Sequence, residues 1–224
     1  MPKSQNLNFT QNLNNVYVDF FSSDKLRVVS VSTNNNGSNL TAGTRTFTAA
    51  AGTVQTGGVA ASWTAEVTDS RIIGQPMIAA GGDYLVTPTA TANAATVDSG
   101  SSNATWNLRV EIYKELYTAA SNDAVVKAIN VASFDTAARV MSLWIVSTDA
   151  QPILIGAVNI PLRSGDNGTA AAIDLLGGTL LPSAVYDANG KRVIPLKAGQ
   201  KIAVSVPAVT AGTQINVTAV VEEY

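Results

Sequence analysis

Apolar residues in this chain come in short, mostly β-branched runs separated by Gly, Pro, Asn, Asp and Ser. Helical spacing of apolar positions is hard to find, so the pattern predicts strands bounded by turns. In the second half, strands are expected at 124–132, 138–147, 153–161, 171–176, 192–196, 201–206 and 214–222. Ile202, Val204 and Val206 alternate with Lys201, Ala203 and Ser205, and Ile215, Val217, Ala219 and Val221 repeat the pattern in the last strand. Successive side chains of a strand point to opposite faces, so each of these strands is expected to bury one face. Asp187-Ala188-Asn189-Gly190 reads as a type I′ hairpin turn, because Asn-Gly supplies its positive φ values. Lys197-Ala198-Gly199-Gln200 marks the next turn.

The first half is patterned less cleanly. Strands are expected at 16–20, 26–31, 63–67, 83–86 and 106–112. The polar stretches 33–44 and 89–105 read as long loops or strand extensions, and long loops in β proteins often carry contacts. The halves also echo one another. Pro76-Met77-Ile78-Ala79-Ala80-Gly81-Gly82-Asp83-Tyr84-Leu85-Val86 resembles Pro195-Leu196-Lys197-Ala198-Gly199-Gln200-Lys201-Ile202-Ala203-Val204, and the closing strands 106–115 and 214–223 both end in acidic residues. The expected architecture is therefore all-β, with two tandem β-sandwich (jelly-roll-like) domains over 16–115 and 116–224 and a boundary near 114–117. Chance similarity among short turn-and-strand patterns is the alternative. Residues 1–15 are rich in Asn and Gln, with Leu7, Phe9 and Leu13 as apolar positions. They read as an extended N-terminal arm that orders against a neighbouring subunit, or as a frayed terminus.

Composition sharpens this picture. Hydrophobic residues make up 46% of the 224 positions but charged ones only 13%, so the polar surface falls to Thr, Ser, Asn and Gln. A β-rich surface so poor in charge suits a protein packed against neighbours. A formal net charge of −2, with the positive residues scattered, provides no basic field for nucleic acid. No run of about 18 apolar residues suggests a membrane span. Met1-Pro2-Lys3-Ser4-Gln5-Asn6 has no apolar core of a secretory signal, so synthesis in the cytosol is expected.

Candidate chemistry is sparse. The chain has no His and no Cys, which removes the usual triads, dyads and thiolate metal sites, and no phosphate-cradling or dinucleotide-binding glycine loop occurs. No cofactor, metal or enzymatic activity is expected. Glu66 with Asp69, and Glu111 with Glu115, are carboxylate pairs of the kind that cleaves glycosides. Glu111 and Glu115 instead read as a solvated, salt-bridged strand edge beside Arg109 and Lys114. Ser164-Gly165-Asp166-Asn167-Gly168 and Asp187-Ala188-Asn189-Gly190 offer oxygen ligands but lack the calcium-loop pattern, and read as turns. Trp144 reads as core or interface; Trp63 and Trp106, which follow polar loops, read as core or as stacking platforms for a sugar.

Leu116-Tyr117-Thr118-Ala119-Ala120-Ser121-Asn122-Asp123-Ala124-Val125-Val126-Lys127-Ala128-Ile129-Asn130-Val131-Ala132 resembles the opening of small β-sandwich virion proteins of tailed bacteriophages, with Ala120 where Pro is often seen. Val193-Ile194-Pro195-Leu196-Lys197-Ala198-Gly199-Gln200-Lys201-Ile202-Ala203-Val204 resembles their penultimate hairpin. The resemblance covers roughly 110–224, and its motifs are structural. It implies a non-enzymatic capsid decoration (cement) protein on the virion surface, made in the host cytoplasm. The implied partners are the major capsid protein and further copies of itself as a dimer or trimer, with neither nucleic acid nor membrane. A tail, collar or baseplate component, or a carbohydrate-binding host-adhesion module, is the alternative. The candidate partner-binding residues are Leu7, Phe9 and Leu13 in the arm and Asn34, Asn35, Asn36, Asn39 and Asn103 in the polar loops.

Overall fold

The β-branched runs do form strands, and among the described residues they pair antiparallel into three sheets. A computed structural model describes residues 12–24, 26–35, 43–48, 62–68, 71–79, 90–91, 105–149, 152–166, 170–177 and 185–224. In chain order the strands are β1 (Asn12–Phe21), β2 (Leu26–Asn35), β3 (Gly43–Thr48), β4 (Ser62–Thr68), β5 (Arg71–Ala79), β6 (Ala90–Thr91), β7 (Thr105–Thr118) and β8 (Ala124–Ser133). They continue as β9 (Arg139–Val146), β10 (Pro152–Ile160), β11 (Ile173–Asp174), β12 (Val185–Tyr186), β13 (Arg192–Leu196), β14 (Lys201–Val206) and β15 (Gln214–Glu223). Among the described residues there is no helix.

The first sheet runs β1-β15-β8-β13-β12, with β11 also on β8; the second runs β10-β9-β14-β7-β2, with β6 also on β7. A three-stranded sheet, β3-β4-β5, is separate. The two larger sheets face each other across one core. Phe20, Ile129, Val131, Leu196, Ile215 and Val217 from the first meet Ile112, Met141, Leu143, Ile160, Ile202 and Val204 from the second, all buried. This is the β-sandwich that the strand pattern implies.

The strand order links the two ends of the chain. β1 pairs with β15 over its whole length, from Asn12 opposite Glu223 to Phe21 opposite Gln214. β7 is long enough to pair with β2 through its first part and with β14 through its last. The expected boundary near 114–117 therefore falls inside a strand, and both large sheets draw strands from either side of it. Asn12 to Asn15, expected in the arm, are the first residues of β1. Asn34 and Asn35, expected in a loop, are the last residues of β2, where Asn35 pairs with Thr105. The expected strand 83–86 lies outside the described residues. β3 and β5 were not anticipated, and 171–176 contributes only the two residues of β11.

Alternation holds in β15, whose Ile215, Val217, Ala219 and Val221 are buried. In β14 it fails: Ala203 and Ser205 are as buried as Ile202, Val204 and Val206. β14 lies between β9 and β7, so its second face is roofed by side chains from both neighbours. Trp144 and Val146 of β9 cluster with Ala203, and Tyr113 of β7 packs against them.

Both expected hairpin turns form, but the first is of a different type. Gly190 N donates to Asp187 O at 3.0 Å and only Gly190 of the four residues has positive φ, at 73°. That is a type I turn with a following glycine bulge, rather than the type I′ turn, which needs positive φ at both central positions. Asp187 Oδ1 accepts from Asn189 N and Lys191 N, both at 2.9 Å, and so holds the turn closed. At 197–200, Gln200 N donates to Lys197 O at 2.9 Å and Gly199 has φ 81°. Positive φ at the third position is the type II requirement that glycine meets without strain.

Candidate functional site

Among the described residues, β1 and β10 end their respective sheets in the pairing order, and both carry apolar side chains on two phases. In β1, Phe20 turns into the core, while Val16 and Val18 pack at its margin. Leu13, Tyr17 and Phe21 therefore occupy the opposite face, where they are 57%, 75% and 40% exposed. The only charge on β1, Asp19, accepts a hydrogen bond from Asn216 Nδ2 at 2.5 Å. In β10 the register slips between Leu154 and Gly156. The bulge drops Ile155 into the core and leaves Ile153 and Leu154 exposed. Val140 on neighbouring β9 and Leu162 just past β10 are exposed as well. β10 carries no charged residue.

Strand edges are where chains add to one another, and proteins ordinarily blunt them with charge, proline or bulges. β10 has its Pro152 and its bulge, whereas β1 has neither. An exposed apolar row on such an edge makes it the candidate contact surface. No family model matches this chain. A search of curated proteins also returns no significant match.

Of the sequence-derived partner residues, only Leu13 falls on this surface. Asn34 and Asn35 lie at the end of β2, and Leu7, Phe9, Asn36, Asn39 and Asn103 lie outside the described residues. Tyr17, Phe21, Ile153 and Leu154 were not among those residues. Their signal was present in Val16-Tyr17-Val18-Asp19-Phe20-Phe21 and Ile153-Leu154-Ile155, where apolar residues fill both phases of one strand. A strand with a core on one side only must then expose some of them.

The carboxylates are arranged for structure. Glu111 is buried, contrary to the expected solvated edge. Arg109 grips its Oε1 from Nε at 2.7 Å and from Nη2 at 2.6 Å, and Ser205 Oγ donates to its Oε2 at 2.5 Å. Arg109 Nη2 also donates to Ser142 Oγ at 2.6 Å, and Trp144 Nε1 donates to Ser205 Oγ at 2.7 Å. The result is a closed polar network under the outer face of the second sheet, in which Trp144 is a buried donor. Glu115 is exposed and pairs separately with Lys201 at 2.9 Å, while Lys114 reaches Asp24 at 2.8 Å. Glu111 and Glu115 thus have different partners and do not converge on a common point. Glu66 sits in β4 opposite Thr44 and Ile73, and Asp69 lies outside the described residues. Trp63 pairs with Phe47 and Ile78, and Trp106 with Thr33 and Ala90, all inside sheets.

Two tyrosines at this end of β7 are held neutral. Burial pushes Tyr113 up to about 12, with Arg27 opposing the shift from 4.0 Å above its ring. Burial and a hydrogen bond to Glu223 together push Tyr117 to about 12.

Proposed function

We propose that this protein is a non-enzymatic structural subunit of a tailed-bacteriophage particle, a decoration (cement) protein that binds the major capsid protein on the outer face of the head. The observation that carries the reading is the exposed, charge-poor apolar row on β1. It supports assembly by strand-edge contact, where backbone pairing gives affinity and alternate side chains give selectivity. Many such weak contacts repeated over a lattice sum to firm attachment without any single strong site. Within this reading, the fold is a single jelly roll. Taking β1, β7, β8, β9, β10, β13, β14 and β15 as strands 1 to 8, the sheets run 1-8-3-6 and 2-7-4-5, the order of a double Greek key. β2 to β6 fall between its first two strands in the chain, and β2 extends the second sheet beyond β7. The motif resemblance of 116–132 and 193–204 to small phage sandwich proteins favours the same placement.

The test is to purify particles and count copies by gel densitometry, then add back Tyr17→Lys and Leu13→Lys proteins to expanded capsids lacking the subunit. Hundreds of copies per particle, with binding lost in both variants at unchanged thermal stability, is the expected result. Tens of copies would move the protein to the tail or collar. Undiminished binding by both variants would remove β1 from the interface.

A further inference from the structure

Where β1 turns toward β2, beside the turn that leads into β15, the outer face of the first sheet carries an open groove of about 430 Å³. Phe21, Ser22, Ser23, Phe134, Thr213 and Gln214 line it, and no lining residue is charged. Its geometry follows from the sheet. Phe21 lies opposite Gln214 in register, and Phe134 N donates to Gln214 O at 2.9 Å. The three residues stand in a row across β1, β15 and the end of β8. Neighbouring strands are about 4.8 Å apart, so the two phenylalanines are separated by roughly 10 Å with the glutamine between them. That span is close to the length of a disaccharide.

Both residues are open to solvent, Phe21 by 40% and Phe134 by 38%, although phenylalanine is among the residues most often buried. The frame around them is fixed. Phe21 N donates to Asp24 Oδ2 at 2.8 Å, Asp24 N donates back to Phe21 O at 3.0 Å, and Thr213 Oγ1 donates to Thr210 O at 2.7 Å. Gln214 Nε2 contacts Asn216 Oδ1 at 3.3 Å, which orients the amide. Small-molecule sites combine apolar walls with a few placed polar groups, and this groove has both before any ligand arrives.

The chemistry selects the ligand class. An ionic ligand would meet no counter-charge. A wholly apolar one would strip water from two serines and an amide without replacing their hydrogen bonds. A sugar satisfies both demands: its C–H faces stack on the exposed rings, and its hydroxyls exchange hydrogen bonds with Gln214 and the serines. We propose that this groove binds a neutral oligosaccharide, with one ring on Phe21, one on Phe134 and Gln214 reading the hydroxyls between them. The inference does not depend on placement in head or tail, but it shares Phe21 with the β1 row and so requires that end of β1 to stay uncovered in the particle.

The experiment is native affinity electrophoresis of the full chain in gels containing dextran, laminarin, galactomannan or hydroxyethylcellulose, with anionic alginate as comparator. Retardation by at least one neutral polymer is expected, weakened at least tenfold in Gln214→Ala and in Phe134→Leu. The latter keeps apolar bulk while removing the aromatic face, and thermal melts of both variants should match the parent. The proposal is overturned by free migration in all four neutral gels, by retardation in alginate alone, or by retardation that both variants retain.

Discussion

Asp135 is fully buried at the corner after β8, and four donors converge on its carboxylate. Arg139 Nε donates to it at 2.8 Å, Ala137 N at 2.9 Å, Thr210 N at 3.1 Å and Thr210 Oγ1 at 2.5 Å. Burial alone would raise its pKa; the donors outweigh burial and bring it down to about 2. A carboxyl whose folded pKa lies below its unfolded value of about 3.9 contributes stability above that value and loses it as pH falls through the folded pKa. Urea midpoints should therefore hold steady from pH 7 to about 5 and decline between about pH 4 and 2. Asp123, Asp187 and Glu222, whose pKa values are also lowered by hydrogen bonds and by Lys partners, share that decline. Asp135→Asn should make it shallower while costing on the order of 3 kcal/mol at pH 7, because Arg139 loses its partner in a half-buried setting. An unchanged slope would show that Asp135 does not titrate as argued. Ser205 supports a second prediction. It accepts from Trp144 Nε1 and donates to Glu111, so Ser205→Ala leaves a buried donor and a buried carboxylate oxygen without partners. A loss of about 1–3 kcal/mol is expected, with altered tryptophan emission as Trp144 loses its acceptor. Neither Asp135 nor Ser205 stands out among the Ser, Asp and Thr around it in the sequence; Thr210 lies 75 residues from Asp135, and Glu111 lies 94 from Ser205.

At the scale of the element, the strand bounds were legible and the burial of their second faces was not. The expected 201–206 and 192–196 coincide with β14 and β13, since turn residues delimit them sharply. The single buried face expected of β14 missed the roof over Ala203 and Ser205, because period-two alternation reports one neighbouring layer and carries no information about a second. The consequence is measurable. Ala203 lies opposite Trp144 in register and has no exposed surface. Ala203→Lys should abolish cooperative folding, whereas Thr218→Lys, on the open face of β15, should change stability by no more than about 0.5 kcal/mol. If both variants melt alike, the second face of β14 is not covered. β7 shows the same limit differently. Expected at 106–112, it runs on to Thr118 because Leu116 reaches the core and Tyr113 reaches the outer cluster. The candidate contact surface was legible only at Leu13; Tyr17 and Phe21 became visible once Phe20 was known to point inward.

For the whole molecule, the pairing of β1 with β15 makes the first described strand part of a sheet completed by the last. Removing residues 1–21 would uncover β15 along ten paired positions and take Phe20 out of the core. Burial of a phenylalanine alone is worth about 1.5–3 kcal/mol, so the truncated chain should lose at least that much and expose an unpaired strand that aggregates. Chemical denaturation with light scattering would measure both; a truncated chain as stable and as soluble as the parent would contradict the pairing. Composition and alternation were sufficient to determine an all-β chain with little charge and with strands at most of the observed places. They act locally, through side-chain volume, backbone preference and turn chemistry within a few residues. Which strands would lie side by side is decided by pairings that span the chain, such as Asp19 with Asn216, and by a core that accepts Phe20 from one end and Val217 from the other. Only the tertiary structure therefore selected which apolar residues of β1 and β10 are buried and which are left exposed.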